Sequence, residues 1–270
     1  MSSMQNRSVA FVAIVSLLLL FLNSGHCLSA NARISLTKAL GGIDLEKRLE
    51  RLRNLRVEGV VGTNANSMAS PTNNIGGLVA PSAAIEGSTQ AVSSTADDLS
   101  IVEANHLEGI DEYLFGGDIM LTEEQLAELE RNQNNSTIRQ KRQATRSASA
   151  LWPNKKVFYF FDAGITDTLK ALVRKALHYI TVRTCLTFVE NPTATYRIRV
   201  INGSGCWSFV GKIGQQDLSL GSGCGSIATI VHEFMHALGF YHSQMRHDRD
   251  SFITVNLSVV PVNPIDYLPN

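Results

Sequence analysis

The chain has 270 residues, 24 basic against 24 acidic, and 44% apolar side chains, which suits one or two folded domains. No stretch is basic for long enough to form a nucleic-acid surface, and no acidic block is extended. The balance conceals an asymmetry: residues 1–142 carry 12 basic and 16 acidic side chains, and residues 143–270 carry 12 and 8. Complementary charge of this kind favours an N-terminal segment that sits on the domain it precedes.

The first 30 residues hold one positive charge, Arg7, then an uncharged run from Val9 to Leu22, then small and polar residues. Fourteen residues rise about 21 Å as a helix, short of the roughly 20 residues needed to span a bilayer core. The segment reads as a secretory signal peptide cut near residues 25–30, with a retained signal anchor as the alternative. Cys27 leaves with it, and Cys185, Cys206 and Cys224 remain in a compartment where disulfides form. The expected location is therefore extracellular, with no stable membrane span.

Leu45, Leu49, Leu52 and Leu55 recur at helical spacing, so residues 36–58 are expected to contain a short amphipathic helix. From about 59 to 100 the chain turns to Gly, Ala, Ser, Asn and Thr. Such a stretch buries too little apolar area to offset its ordering entropy, and it reads as a linker. Order is expected again at residues 107–133. There Thr122 followed by Glu123, Glu124 and Gln125 marks a helix start, and Asp118 on its own is an ordinary turn residue.

Arg139, Lys141 and Arg142 lie in an exposed Arg-Gln-Lys-Arg tetrad, which in a secreted chain is a cut site for a proprotein convertase; a solvated charge cluster is the competing reading. The tetrad divides the chain into a signal peptide (1–30), a propeptide (31–142) and a catalytic portion (143–270). Beyond it, KVFYFF (156–161) reads as a buried strand, residues 166–184 as an amphipathic helix, and YRIRVI (196–201) as a strand with Arg197 and Arg199 on its wetter side. CWSFVGKI is a further short strand. The pattern predicts an α+β fold with a mixed sheet.

HEFMHALGFYH, residues 232–242, then places three histidines and one glutamate in eleven residues. Positions four apart share a helical face, so His232 and His236 can point at one ion while Glu233 reaches water beside it. Gly239 permits a left-handed turn, after which His242 can return as the third ligand; a straight helix would carry it out of reach. The bland reading is a buried helix rich in histidine, but unliganded histidine and glutamate would be costly in such a place. The implied cofactor is one Zn²⁺ held by His232, His236 and His242, with Glu233 as general base and then general acid in peptide hydrolysis.

HEFMHALGFYHSQMRHDRD (232–250), with GSGCWSFVGKI (203–213), resembles the astacin family of zinc metallopeptidases, of the metzincin type. The resemblance implies the upper subdomain of a metzincin-like fold acting on protein or peptide substrates. It also recasts Asp118: Phe115-Gly116-Gly117-Asp118 resembles the pattern by which propeptides of this family set an aspartate on zinc and keep the proenzyme silent. Cys206 and Cys224 would pair, and Cys185 would be left without its partner. Ser243 stands where the family usually carries a glutamate that contacts the new N-terminus. The family's catalytic domain also continues beyond residue 270, so the C-terminal subdomain is expected to be missing. A catalytically incompetent secreted module that binds zinc or a partner is the alternative this leaves. Asn134, Asn135, Asn202 and Asn256 match the glycosylation pattern, with Asn202 expected to be sheltered.

Overall fold

The computed structural model describes residues 28–61, 99–133, 144–145, 147–246 and 248–256. The signal run, most of the expected linker, the basic tetrad with Arg139, Lys141 and Arg142, and the acceptors Asn134 and Asn135 lie outside the described residues.

Among the described residues the N-terminal portion contributes four α-helices and a short strand: α1 (Ala30–Ala39), α2 (Leu45–Val61), α3 (Ile101–Glu108), β1 (Ile119–Met120) and α4 (Glu123–Gln133). Where one helix is expected over 36–58 there are two. Ser29 caps the first, Gly41 and Gly42 turn the chain at positive φ, and the Asp44 carboxylate accepts from the backbone N–H groups of Glu46 and Lys47 to start the second. Regular structure expected from 107 is already present at α3, from Ile101. The helix α3 carries a reciprocal capping box between Ser100 and Glu103 and ends on Gly109 in the left-handed conformation, so eight residues hold a helix that apolar periodicity did not reveal. The start of α4 follows the sequence reading: Thr122 Oγ1 accepts from the Gln125 N–H, and Gln125 Oε1 from the Thr122 N–H.

The portion expected to be catalytic supplies β2 (Lys156–Phe161), α5 (Asp167–Thr181), β3 (Thr187–Glu190), β4 (Arg197–Ile201), β5 (Cys206–Phe209), β6 (Gln215–Leu220) and α6 (Ile227–Ala237). The strands form one sheet in the order β1-β5-β6-β4-β2-β3. Among the described strands the β5–β6 pairing alone is antiparallel, so the sheet is mixed, as the sequence pattern implies. Three strands, β1, β3 and β6, escaped the sequence reading. QQDLSL is bounded by glycines and too polar at its start to show alternation, yet it is paired on both sides by β4 and β5.

Helices α5 and α6 share one core with the sheet, in which Val157, Tyr159, Ile198, Val200 and Leu218 meet Val173, Leu177, Ile180, Ile230 and Phe234. A second core joins the two portions of the chain. Leu36, Leu40, Leu45 and Leu49 of the α1–α2 hairpin pack with Ile110, Leu114 and Met120 onto Trp207 and Phe209 of β5. All four residues of β5 are buried because helices cover it and β1 closes its edge. A charged clasp reinforces this cover: Arg48, 1% exposed, donates to the Leu121 carbonyl at 2.8 Å and pairs with Glu123 at 2.9 Å, and Arg51 grips Glu130 through two bonds. Cys206 and Cys224 are joined by a disulfide, and Cys185 is free and exposed. Asn202 is exposed rather than sheltered, because it lies in the turn that leaves β4, and Asn256 is exposed as well. No helix among the described residues is long and apolar enough to cross a membrane.

Candidate metal centre

The helix α6 starts at Ser226, whose hydroxyl accepts from the Thr229 N–H, and its apolar residues Ile230, Phe234 and Ala237 fix it in the core. It stops in a Schellman arrangement. Gly239, at φ 105°, donates to the His236 carbonyl at 2.7 Å, and Phe240 donates to the Met235 carbonyl at 3.1 Å. A side chain at 239 is also excluded by space, since a Cβ there would lie 2.7 Å from Thr145 Cγ2. The chain therefore reverses after the second histidine and brings His242 back beside the first two.

The three rings converge. His236 Nε2 lies 2.9 Å from His232 Nε2, which in turn lies 3.2 Å from His242 Nε2. His236 Nδ1 is 2.8 Å from the Phe240 carbonyl oxygen, which only accepts, so Nδ1 carries the proton and Nε2 presents its lone pair inward. Asp118 closes the group from the other portion of the chain. Its Oδ2 is 2.9 Å from His232 Nε2 and 3.2 Å from His242 Nε2, and its Oδ1 is 3.1 Å from His242 Nε2 and 3.6 Å from His236 Nε2. Among the described residues these four side chains form the one cluster able to hold a metal ion, with one ligand atom from each inside a span of 4.8 Å.

The donor set fits zinc. Ligands about 2.0–2.1 Å from a tetrahedral ion stand about 3.3 Å from one another, the spacing these nitrogens and oxygens show. Lone pairs from three imidazoles and a carboxylate, buried and facing each other, need a shared cation or proton. Burial alone would push the Asp118 carboxyl up, but the imidazoles of His242, His236 and His232 that face it favour its ionised form and hold it well below the usual carboxylate range. Glu233 is the opposite case. Fully buried, with neither carboxylate oxygen hydrogen-bonded, it is pushed well up by loss of solvent and then by the negative charge of Asp118. Two carboxyls next to one metal cluster are thus driven apart in proton affinity, which is how a site assigns acid and base roles.

The approach of Asp118 depends on a tight loop. Phe115 and Ile119 exchange backbone bonds across it, and Gly116 and Gly117 both have positive φ. A Cβ at Gly116 would lie 2.8 Å from His242 Nδ1, so the glycine admits the loop to the histidine. The main chain then continues as β1, parallel to β5 with Ile119 opposite Ser208, and the Ser208 N–H donates to the Asp118 carbonyl at 3.2 Å. At the other boundary Thr145 donates to the Gly239 carbonyl at 2.8 Å, and Ala144 bridges to Phe240, so the first described residues after the tetrad lie against the histidine turn. Ser243 begins a one-turn helix that ends at the buried Met245.

Residues 144–267 match the family model of Astacin, a peptidase family. This part of the chain is a domain of the astacin family of zinc metallopeptidases. It is 44% identical over 164 residues to zinc metalloproteinase nas-32 of Caenorhabditis elegans, a match that covers 60% of this chain and 25% of that protein. With meprin A subunit beta of Homo sapiens it shares 36% identity over 160 residues, 58% of this chain and 20% of the other. Among solved structures, high choriolytic enzyme 1, a hatching enzyme zinc-protease from Oryzias latipes, is 31% identical, covering 47% of this chain and 68% of that one at a TM-score of 0.43. The chain spans about a quarter of the length of nas-32 and of its C. elegans relative nas-31. Zinc is the cofactor of this family, and His232, His236, His242 and Asp118 are positioned to hold it.

Proposed function

We propose that the chain is the preproprotein form of a secreted zinc metalloendopeptidase, with His232, His236 and His242 as the permanent metal ligands, Glu233 as the proton-transfer group and Asp118 as the ligand that keeps it latent. The observation that carries this reading is the convergence of the Asp118 carboxylate on the same point as three imidazole nitrogens, with the unpartnered Glu233 buried alongside.

Zinc, when bound, supplies Lewis acidity toward a peptide carbonyl and toward water. The protein supplies the rest. The His236 tautomer is fixed by Phe240, and Glu233 is held where solvent cannot compete for its proton. With Asp118 withdrawn, Glu233 loses the negative charge that raises its proton affinity, takes a proton from the attacking water and returns it to the departing amine. While Asp118 stays, its two oxygens occupy the position that water and substrate need, and β1 covers the edge of β5 where an extended peptide would pair.

Release follows from cleavage at the tetrad Arg139-Gln140-Lys141-Arg142 by a proprotein convertase, with the signal peptide removed before Leu28, which is buried, and Ser29, which caps α1. Glycosylation at the exposed Asn202 and Asn256 is compatible with this route. The test is zinc stoichiometry together with peptide cleavage in the convertase-treated chain, for wild type, Glu233→Gln and His236→Ala. One zinc per chain in wild type and Glu233→Gln, with hydrolysis only in the former, is expected; His236→Ala should lose the metal. Zinc at full occupancy with no hydrolysis after cleavage of the tetrad would instead assign the chain to metal or partner binding.

A further inference from the structure

Asn105 lies in α3, 101 residues before the strand it touches, and is 0% exposed. Its amide nitrogen donates to two carbonyls, Gly117 at 2.8 Å and Cys206 at 2.7 Å, and its amide oxygen accepts from the Cys206 N–H at 2.7 Å. One side chain thus behaves as a short piece of strand. It satisfies both backbone groups of Cys206 on β5, and it fastens the peptide immediately before Asp118 to that strand. The far side of the same loop is fastened by the Ser208 N–H to the Asp118 carbonyl. The carboxylate is therefore held between two tethers to β5, and only one of them is a side chain.

The socket is shaped for this residue. Gly205 has φ 67°, and a Cβ there would lie 2.3 Å from Asn105 Oδ1, so the amide enters because position 205 has no side chain. The helix behind Asn105 is anchored independently: its capping box and left-handed Gly109 define its ends, and Ala104, 2% exposed, packs into the core of the catalytic portion. Aspartate at 105 would keep the acceptor but lose both donors, leucine would lose all three bonds, and every backbone group left behind would be buried.

We infer that Asn105 is the positioning residue of the latent state: it touches none of the metal-cluster side chains, and it sets where Asp118 sits by holding the Gly117 carbonyl against β5. The inference rests on the reading of Asp118 as the latent-state ligand, and two measurements on the uncleaved full chain separate the two claims. The first is amide exchange of residues 115–120. Asn105→Asp and Asn105→Leu should each accelerate it by about tenfold or more, at a factor of roughly five to ten per lost buried bond. Ile180→Ala, which loosens α5 in the other core without touching the 115–120 loop, should leave it within about twofold of wild type. The second is the visible spectrum of the Co²⁺-loaded chain: Asp118→Ala should change the ligand field, and both Asn105 variants should move the spectrum toward that of Asp118→Ala. Wild-type exchange and a wild-type spectrum in Asn105→Asp would overturn the role of Asn105. Identical spectra for wild type and Asp118→Ala would overturn the ligand reading instead, while exchange would still report on Asn105.

Discussion

The helix that presents His232 and His236 and the loop that presents Asp118 meet at one point, but they are built differently. The first is local: capping by Ser226, the i to i+4 repeat, and a Schellman turn at Gly239 place three ligands using contacts within or next to the helix. The second is assembled from a distance. Arg48 holds Leu121, Asn105 holds Gly117, and β5 holds Asp118 and Ile119. The three histidine positions are coded compactly, whereas Asp118 is held by many separate contacts on elements of another part of the chain.

That contrast can be broken experimentally, and the largest effect belongs to the local part. Glu233→Gln should lower peptide hydrolysis by about 10²–10⁴-fold with zinc content unchanged; if the metal were lost in proportion, Glu233 would belong to the grip rather than to the chemistry. Next comes Phe234→Ala, which empties the centre of the core between Tyr159 and Phe188 and should cost about 3–5 kcal/mol in denaturant unfolding of the catalytic portion. Leu52→Ala should cost about 2–5 kcal/mol, yet by exchange mass spectrometry the loss should be confined to residues 45–61 and 115–133, whose cluster it shares. A uniform loss over α5 and α6 would show that the two regions unfold as one. Gly239→Ala should cost about 1–3 kcal/mol through positive φ and the contact with Thr145, with His242 the ligand displaced first; zinc affinity reads this directly. Smallest is Arg53→Ala. Its partner Glu112 and the arginine are both largely solvated, so a change under about 0.5 kcal/mol is expected, in contrast to the half-buried clasp of Arg51.

What could be read in advance follows the same division. KVFYFF matches β2 at both ends, and the amphipathic face of α5 is plain in Leu169, Leu172, Val173 and Leu177, because burial on one side leaves a periodic trace. QQDLSL leaves none, since its buried positions include Gln216 and Ser219 as well as the leucines, so burial does not follow apolar character. The helix α3 could have been found from Ser100 and Glu103, three apart, followed by Gly109 after an eight-residue interval. Nothing comparable marked Asn105. Its three bonds join residues 12 and 101 positions away, and an asparagine in a helix looks the same in sequence whether it is solvated or fully enclosed.

The order of residues 232–242 by itself determined the kind of chemistry, because the ligand spacing, the glutamate beside the first ligand and the glycine at the turn are all properties of one short segment. Only the tertiary structure decided that Asp118 faces those nitrogens, that β1 lies along β5, and that the leucines of α1 and α2 cover Trp207 and Phe209. The reason is that helix periodicity and turn chemistry act over a few residues, while the pairing of distant segments depends on which buried surfaces and backbone groups satisfy each other in the finished fold.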